Sequence, residues 1–529
     1  MNDNVFRLAQ PKKKGFLHLL FSRFLVIALL ILLQLLLILG VYFWLNDVIK
    51  WISIIYLVFE IAMVIYLFNN RMDSAAKLTW LFVIAIFPFI GAVFLWFTQT
   101  NFGNQRLKGE VLSLIHDSMT ALEQPEDALQ ELQNDHSGTG ALAKYLTRDG
   151  CFPVYRNTEV TFFPCGEDKF AAVLEELKKA ESFIYMEYFI IEEGYMWGEI
   201  LRILIEKAQA GVDVRVMYDG MCEISQLPAD YWKLLEKQGI RAKAFSPIRP
   251  VISSHYNYRD HRKILVIDGK VAFNGGVNLA DEYINRIERF GHWKDTAVML
   301  RGEAVESFTL MFLQMWYVYT HNEEPSVQML KDLEECKHVA AGYSVAAPGF
   351  VMPYADCPLD HDKTGEVVYM DILNRAERYV HIMTPYLILD GELETAIKTA
   401  AERGVDVRII LPGIPDKKPA YALAKTHYQS LLDAGVKVYE YTPGFVHAKI
   451  FVCDNIKAVV GTINLDYRSL YHHFECATYL YKVPCIAQIE YDFRETWKKC
   501  RRVTYSSIKH EKLSYKIGGS LMKFLAPLM

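Results

Sequence analysis

The 529-residue sequence contains no Cys-x-x-Cys pair and no cysteine or histidine grouping at zinc spacing. Its nine cysteines, the first at Cys151 and the last at Cys500, are odd in number and scattered. Neither a disulfide framework nor a metal site is indicated, and no cofactor is expected. Charge is scarce too: 22% of residues are Asp, Glu, Lys or Arg, and 57 basic against 62 acidic side chains give a net charge of −5. With no basic excess, general binding of nucleic acid is not expected. What the chain has in quantity is apolar surface. Apolar residues make up 52% of it, with 30 Phe, 31 Tyr and 9 Trp, and the mean hydropathy is +0.09. Disordered, collagen-like and disulfide-scaffold classes are therefore excluded, and the length calls for two or three domains.

The apolar excess is concentrated near the N-terminus. Residues 24–45 hold one polar side chain (Gln34), 52–68 hold one acid (Glu60), and 78–97 hold no charge. Each run is about 17 to 22 residues, which at about 1.5 Å per residue matches a hydrocarbon core of roughly 30 Å. About three transmembrane helices are expected. Trp44, Trp51, Trp80 and Trp96 at the ends of the runs fit interfacial belts. Lys12, Lys13, Lys14 and Arg23 resemble the start of a signal peptide, but the first run is too long and no small-residue cleavage site follows it. Pro88 and Gly91 allow the third run to kink into a re-entrant hairpin.

Beyond a polar stretch at 104–145, which reads as a connector, the sequence repeats itself. Gly211-Val212-Asp213-Val214-Arg215-Val216-Met217 returns as Gly404-Val405-Asp406-Val407-Arg408-Ile409-Ile410. Strand, helix, strand, helix, strand is written twice, implying two α/β domains with largely parallel sheets. The expected organisation is a membrane domain at 1–103, the connector, α/β domains at 146–335 and 336–505, and a basic amphipathic tail at 506–529. The tail sets Lys509, Lys512, Lys516 and Lys523 around Ile517, Leu521 and Phe524, a pattern suited to an anionic bilayer.

Both copies end in one arrangement. His261, Lys263 and Asp268 are followed by Gly275-Gly276-Val277-Asn278, and His447, Lys449 and Asp454 by Gly461-Thr462-Ile463-Asn464, with identical spacing. Residues 264–267 and 450–452 are strand-like, so each His and Lys should project from one strand face. Asp268-Gly269 and Asp454-Asn455 are hairpin-turn pairs that bring each Gly-x-x-Asn loop back toward its His and Lys. Two such hairpins facing each other would give one pocket with two His, two Lys and two Asn. One imidazole can attack while the other protonates a leaving group, and the ammonium and amide groups can hold phosphodiester oxygens. The lysines then supply the positive charge that a metal supplies elsewhere.

These residues, with Asp260-His261-Arg262-Lys263, Phe290-Gly291-His292-Trp293-Lys294-Asp295 and Asn464-Leu465-Asp466-Tyr467-Arg468-Ser469, resemble the phospholipase D superfamily. Within it the chain is similar to the bacterial cardiolipin synthases with two His-x-Lys motifs. The resemblance implies N-terminal transmembrane helices and two duplicated phospholipase D-type α/β/α sandwich domains sharing one active site. It also implies reversible phosphatidyl transfer between two phosphatidylglycerol molecules, giving cardiolipin and glycerol through a phosphohistidine. His261 is then the nucleophile and His447 the general acid and base. Lys263, Lys449, Asn278 and Asn464 bind phosphoryl oxygens, while Asp268 and Asp454 close the motifs. The superfamily is expected to orient each histidine with a carboxylate, and Asp295 and Glu475 are the candidates by position. His292, His472 and His473 receive no role and are expected at surface or supporting positions.

The same pocket in a membrane phospholipase D would let water take the second step and yield phosphatidic acid, and sequence alone does not separate the two. A nuclease fits the apolar N-terminus and the charge poorly, and complete motifs in both halves speak against an inactive scaffold. The expected location is the bacterial cell membrane, as a multi-pass protein acting on membrane lipids. Seven Lys and Arg fall on the N-terminal side of a three-span arrangement (Arg7, Lys12, Lys13, Lys14, Arg23, Arg71 and Lys77) and three on the other (Lys50, Arg106 and Lys108). By the positive-inside rule three crossings then place the catalytic domains outside, the rival being a re-entrant third run that keeps them inside.

Overall fold

The computed structural model describes residues 6–9, 49–70, 72–99, 105–135, 137–150, 152–247, 258–320, 324–360 and 362–526. The chain divides into a large unit built on Arg106–Pro247 and Asn257–Ser520 and a small unit built on Lys13–Gln105.

The small unit holds the helices Ile49–Asn69, Ser74–Ile86 and Pro88–Gln99. Asp73 caps the second by accepting from the Ala75 and Ala76 amides. The third apolar run does not form one rod. It breaks at Phe87, and Pro88, which has no amide hydrogen, opens the next helix. The chain turns back there, so that the Trp80 and Phe94 ring centroids lie 5.5 Å apart. Fourteen residues of continuous helix would separate them by about 21 Å. The expectation of a third crossing is thus corrected to a helical hairpin, closed over Leu67, Trp80, Ile84 and Leu95. Ile55, Val58 and Phe68 on the first helix remain exposed. Among the described residues no helix is long and apolar enough to cross a membrane. The first apolar run, 24–45, lies outside the described residues.

The large unit contains two sheets. Its strands are β1 (Thr158–Phe163), β2 (Phe183–Tyr188), β3 (Asp213–Asp219), β4 (Arg241–Phe245), β5 (Arg259–Asp260), β6 (Lys263–Ile267), β7 (Val271–Gly275), β8 (His292–Lys294) and β9 (Ala297–Gly302) in the first half. The second half supplies β10 (Phe350–Asp356), β11 (Tyr379–Met383), β12 (Asp406–Pro412), β13 (Lys437–Tyr441), β14 (Gly444–Val446), β15 (Ile450–Cys453), β16 (Lys457–Gly461), β17 (His473–Tyr481) and β18 (Cys500–Arg502). The first sheet runs β1-β9-β7-β6-β2-β3-β4, and the second β10-β17-β16-β15-β11-β12-β13-β18. β2-β3-β4 and β11-β12-β13 pair in parallel, as does the short β5 where it joins β17 off the main path of the second sheet; the other pairings within these two sheets are antiparallel. The expectation of largely parallel sheets is corrected accordingly. The reason is local: a two-residue hairpin can join only antiparallel strands.

Those hairpins are the ones the turn pairs indicate. Asp268 and Gly269 have φ of 51° and 63°, and Asp454 and Asn455 have 54° and 63°, as type I′ turns require. The helix Val305–Trp316 is apolar on nearly every side and packs against both β6 and β10, so one hydrophobic core joins the two halves. The polar stretch before the repeat is no open linker. It forms the helices Gln105–Asp117, Glu126–Asn134 and Thr139–Gly150, which bury Leu107, Val111, Leu132, Leu142 and Leu146 in that core. At the C-terminus Leu513–Leu525 is a helix with Leu513, Ile517 and Leu521 exposed at intervals of four residues, one apolar stripe.

Candidate active site

Two short strand pairings between the halves create the site. β5, directly before His261, pairs in parallel with the start of β17, setting Arg259 opposite His473 and Asp260 opposite Phe474. β14, directly before His447, pairs in parallel with β8, setting Phe445 opposite Trp293 and Val446 opposite Lys294. The His261 amide then donates to the Phe474 carbonyl at 2.9 Å and the His447 amide to the Lys294 carbonyl at 2.7 Å. Each motif therefore enters the site alongside a strand of the other half.

This pairing crosses the carboxylates. His261 Nδ1 lies 2.9 Å from both Glu475 oxygens, although the two residues are 214 positions apart. His447 Nδ1 lies 2.7 Å from Asp295 Oδ2, across 152 positions. Both pairs are buried. With Nδ1 engaged by a carboxylate, Nε2 is the ring atom each histidine has left for chemistry. Lys263 Nζ donates to the carbonyl of His261 and Lys449 Nζ to that of His447, so each lysine is held against its own histidine. The two histidines precede their strands, Lys263 opens β6, and Lys449 stands directly before β15.

Burial sets the protonation states. Burial, then Lys263 and Lys449, push His261 well below its ordinary value. Burial and Lys449 pull His447 down to about 4, against the opposing pull of Asp295. Asp295 itself is held below the usual carboxylate range, because His447 and Lys449 outweigh its burial. Burial lowers Lys263 to about 8 and Lys449 to about 7. The site thus combines a neutral His261, a His447 whose proton Asp295 favours and burial opposes, and ammonium groups that titrate close to neutrality, an arrangement suited to binding one anionic phosphodiester.

The two asparagines differ. Asn278 accepts from the Ile190 amide at 3.1 Å and donates to the Tyr283 hydroxyl at 2.8 Å. Asn464 is buried with its Oδ1 unpaired among the described residues. Asp268 and Asp454 are not brought to the site. Asp268 accepts from the amides of Glu181, Ser182 and Phe183, each at 2.8 Å. Asp454 accepts from those of Glu377, Arg378 and Tyr379 at 2.8–2.9 Å. Both pin a hairpin turn to the neighbouring strand start, and their inclusion with the catalytic residues is corrected to this structural role.

Three residues in the site carried no signal, or the wrong one, in the sequence. Lys169, in the first turn of the helix Gly166–Lys179, is wholly buried, donates to Tyr188 Oη and the Val277 carbonyl, and is lowered by burial to about 7. Thr462 donates its hydroxyl to Glu475. His473 is not at the surface: it is buried with its ring centroid 5.4 Å from that of His261. Its place two residues before Glu475 on one strand puts both on one face, a signal that the sequence did contain. His292 is exposed, bonded through Nδ1 to Tyr441 Oη at 3.1 Å.

Comparisons with known proteins agree with this architecture. The family model described as "Cardiolipin synthase, PLD-like domain" matches residues 173–316 and 369–497, one segment in each half. The chain is 36% identical to a cardiolipin synthase of a Geobacillus species, over 89% of this chain and 91% of that one. It is 34% identical to cardiolipin synthase 2 of Bacillus anthracis, over 89% and 90%. Among solved structures, phosphatidylserine synthase of Haemophilus influenzae Rd KW20 superposes with a TM-score of 0.54 at 16% identity, covering 74% of this chain and 97% of that one, a likeness of fold. The duplicated motifs, the shared fold and the extent of these matches show that the chain belongs to the cardiolipin synthase family of phospholipase D-like phosphatidyltransferases.

Proposed function

We propose that the protein is a cardiolipin synthase that transfers a phosphatidyl group from one phosphatidylglycerol to another, reversibly, through a phosphohistidine. The observation that carries this reading is the pair of histidines, each oriented by a carboxylate of the opposite half, with two lysines held beside them. His261 Nε2 attacks the phosphorus of the first lipid, and His447 Nε2 gives its proton to the departing glycerol oxygen. The hydroxyl of the second phosphatidylglycerol then surrenders its proton to His447, attacks the phosphorus and frees His261. The two lysines, and Asn464 through its side-chain N–H, are the donors to the phosphoryl oxygens in this reading. The order of roles follows the electrostatics. Burial and the two lysines hold His261 well below its ordinary value, so that it keeps its lone pair, whereas Asp295 opposes the depression of His447 and favours its carrying a proton.

The membrane location is part of the same proposal. It rests on the apolar character of the N-terminal runs, of which 24–45 lies outside the described residues, and on the basic residues that flank them. A single reactive cysteine at Ser137, in cells whose native thiols are blocked, reads the side: labelling of intact cells by an impermeant maleimide places the catalytic halves outside, as three crossings require, and labelling only after permeabilisation places them inside. For the reaction itself, purified protein in detergent is given labelled phosphatidylglycerol. Cardiolipin with equimolar glycerol supports the proposal; phosphatidic acid as the main product would make the protein a hydrolase.

A further inference from the structure

His473 is the least explained polar side chain near the site. It is 9% exposed, and neither ring nitrogen makes a hydrogen bond among the described residues. A buried imidazole without partners is costly unless something occupies it. Its Nδ1 lies 3.6 Å from Glu475 Oε1, and the same oxygen lies 2.9 Å from His261 Nδ1. One ligand atom from each of the three residues falls within 4.8 Å of the others. A tetrahedral zinc ion, with bonds of about 2.0–2.2 Å to nitrogen and oxygen, holds its ligand atoms about 3.3–3.5 Å apart. The observed 2.9 and 3.6 Å bracket that spacing on the two edges that meet at Glu475, and the edge between the two histidines is at most 4.8 Å. Thr462 engages the other oxygen of Glu475, leaving Oε1 for the ion. Two imidazoles and one carboxylate suit zinc and its first-row neighbours, whereas magnesium and calcium favour all-oxygen sets.

We propose that His261, His473 and Glu475 form a binding site for a divalent transition-metal ion of the zinc class, and that its occupation inhibits the enzyme. The inhibition follows from the tautomer. In the active arrangement Nδ1–H of His261 points to Glu475 and Nε2 carries the attacking lone pair. An ion on Nδ1 takes the lone pair there and shifts the ring's one proton to Nε2, with no net proton released. Nε2 can then no longer attack, and Glu475 has become a ligand instead of an acceptor. Lys263 and Lys449 oppose a cation in the site, but burial weakens that opposition by lowering both. Binding is independent of the proposed reaction; only its inhibitory consequence rests on His261 as the nucleophile.

The full-length protein in detergent, freed of metal, is titrated with Co²⁺ and then with Zn²⁺ in competition, while transfer is followed in parallel. One Co²⁺ per chain, with the visible absorption of a tetrahedral nitrogen and oxygen site, is expected, and Zn²⁺ displaces it. His473→Asn and His473→Phe are each expected to remove that absorption. In whichever variant folds, the Zn²⁺ concentration for half-inhibition rises at least tenfold against its own baseline. EDTA should restore the wild-type rate. Unchanged Co²⁺ binding in both variants, or no binding by the wild type, overturns the site. Bound metal with undiminished transfer overturns the inhibition while leaving the site. If no transfer is detected in any sample, the absorption alone still decides the binding.

Discussion

His261 and His447 occupy equivalent places in a duplicated domain, yet they are held differently. His447 meets Asp295, which sits beside Gly276 and takes the Thr296 amide at 2.8 Å. Its ring is walled by Tyr283, Trp293 and Phe445 at 5.4–5.9 Å between centroids. His261 meets the longer Glu475, steadied by the hydroxyl of Thr462 where the first half has Gly276. Its neighbours are Phe189 at 4.9 Å and His473 at 5.4 Å. The exchange is compensated within each pair. A Cβ on Gly276 would stand 2.1 Å from Asp295 Oδ1, so the side chain that serves one half is forbidden in the other. Duplication supplied two like histidines, and the residues around them differ in the way that one nucleophile and one acid require.

Replacing either histidine by alanine tests whether both halves are needed, and carries the largest expected effect. Turnover should fall about 10⁴-fold or more in each, several kcal/mol of transition-state stabilisation, because water cannot take either role at the same geometry. Substantial turnover by one variant would mean that the second half is not catalytic.

Exchanging the supporting residues breaks the symmetry more gently. Gly276→Ala should displace Asp295 and with it His447, at a cost of about 10²-fold in kcat. Thr462→Ala removes one donor from Glu475 and should cost about tenfold. Equal effects at the two positions would contradict the asymmetry.

The lysines offer a comparison through pH. Both must be charged to hold the phosphodiester, and both have lowered values. Activity should therefore fall as pH rises through about 7, where Lys449 loses its proton, and about 8, where Lys263 does. The acid limb belongs to His261, whose protonation removes the attacking lone pair and which burial holds well below the ordinary imidazole value. Lys449→Arg keeps its charge, so the alkaline limb of kcat/KM should move up toward the Lys263 value. An unmoved limb would remove Lys449 from that role.

The smallest effect on rate is expected at the turns. Asp268→Asn or Asp454→Asn should leave kcat within about threefold while lowering stability by about 1–3 kcal/mol, as buried amides lose a charged acceptor. A catalytic defect with normal melting would return these residues to the chemistry.

Much of this was legible in the sequence where the signal was local. Fixed spacing marked His261, Lys263, His447 and Lys449, and Asp268-Gly269 announced its turn, because turn chemistry depends on a residue's own φ. Asp295 and Glu475 were named as orienting carboxylates. Which histidine each serves was not legible, since the short β5–β17 and β8–β14 pairings that decide it join residues far apart in the chain. That His473 takes the supporting and not the surface position was not legible for the same reason: its burial comes from His261 and Phe189, which reach it only through the fold. For the third apolar run length alone suggests a crossing, while Pro88 marks the break of the hairpin that the helices form.

The account stands most directly on the covalent intermediate. Labelled phosphatidylglycerol, rapid quenching and peptide mapping should recover one phosphohistidine, on His261, that disappears when unlabelled phosphatidylglycerol is added and reappears as labelled cardiolipin. Label confined to His447 would reverse the assigned roles, and no protein-bound label during active turnover would contradict the two-step transfer itself.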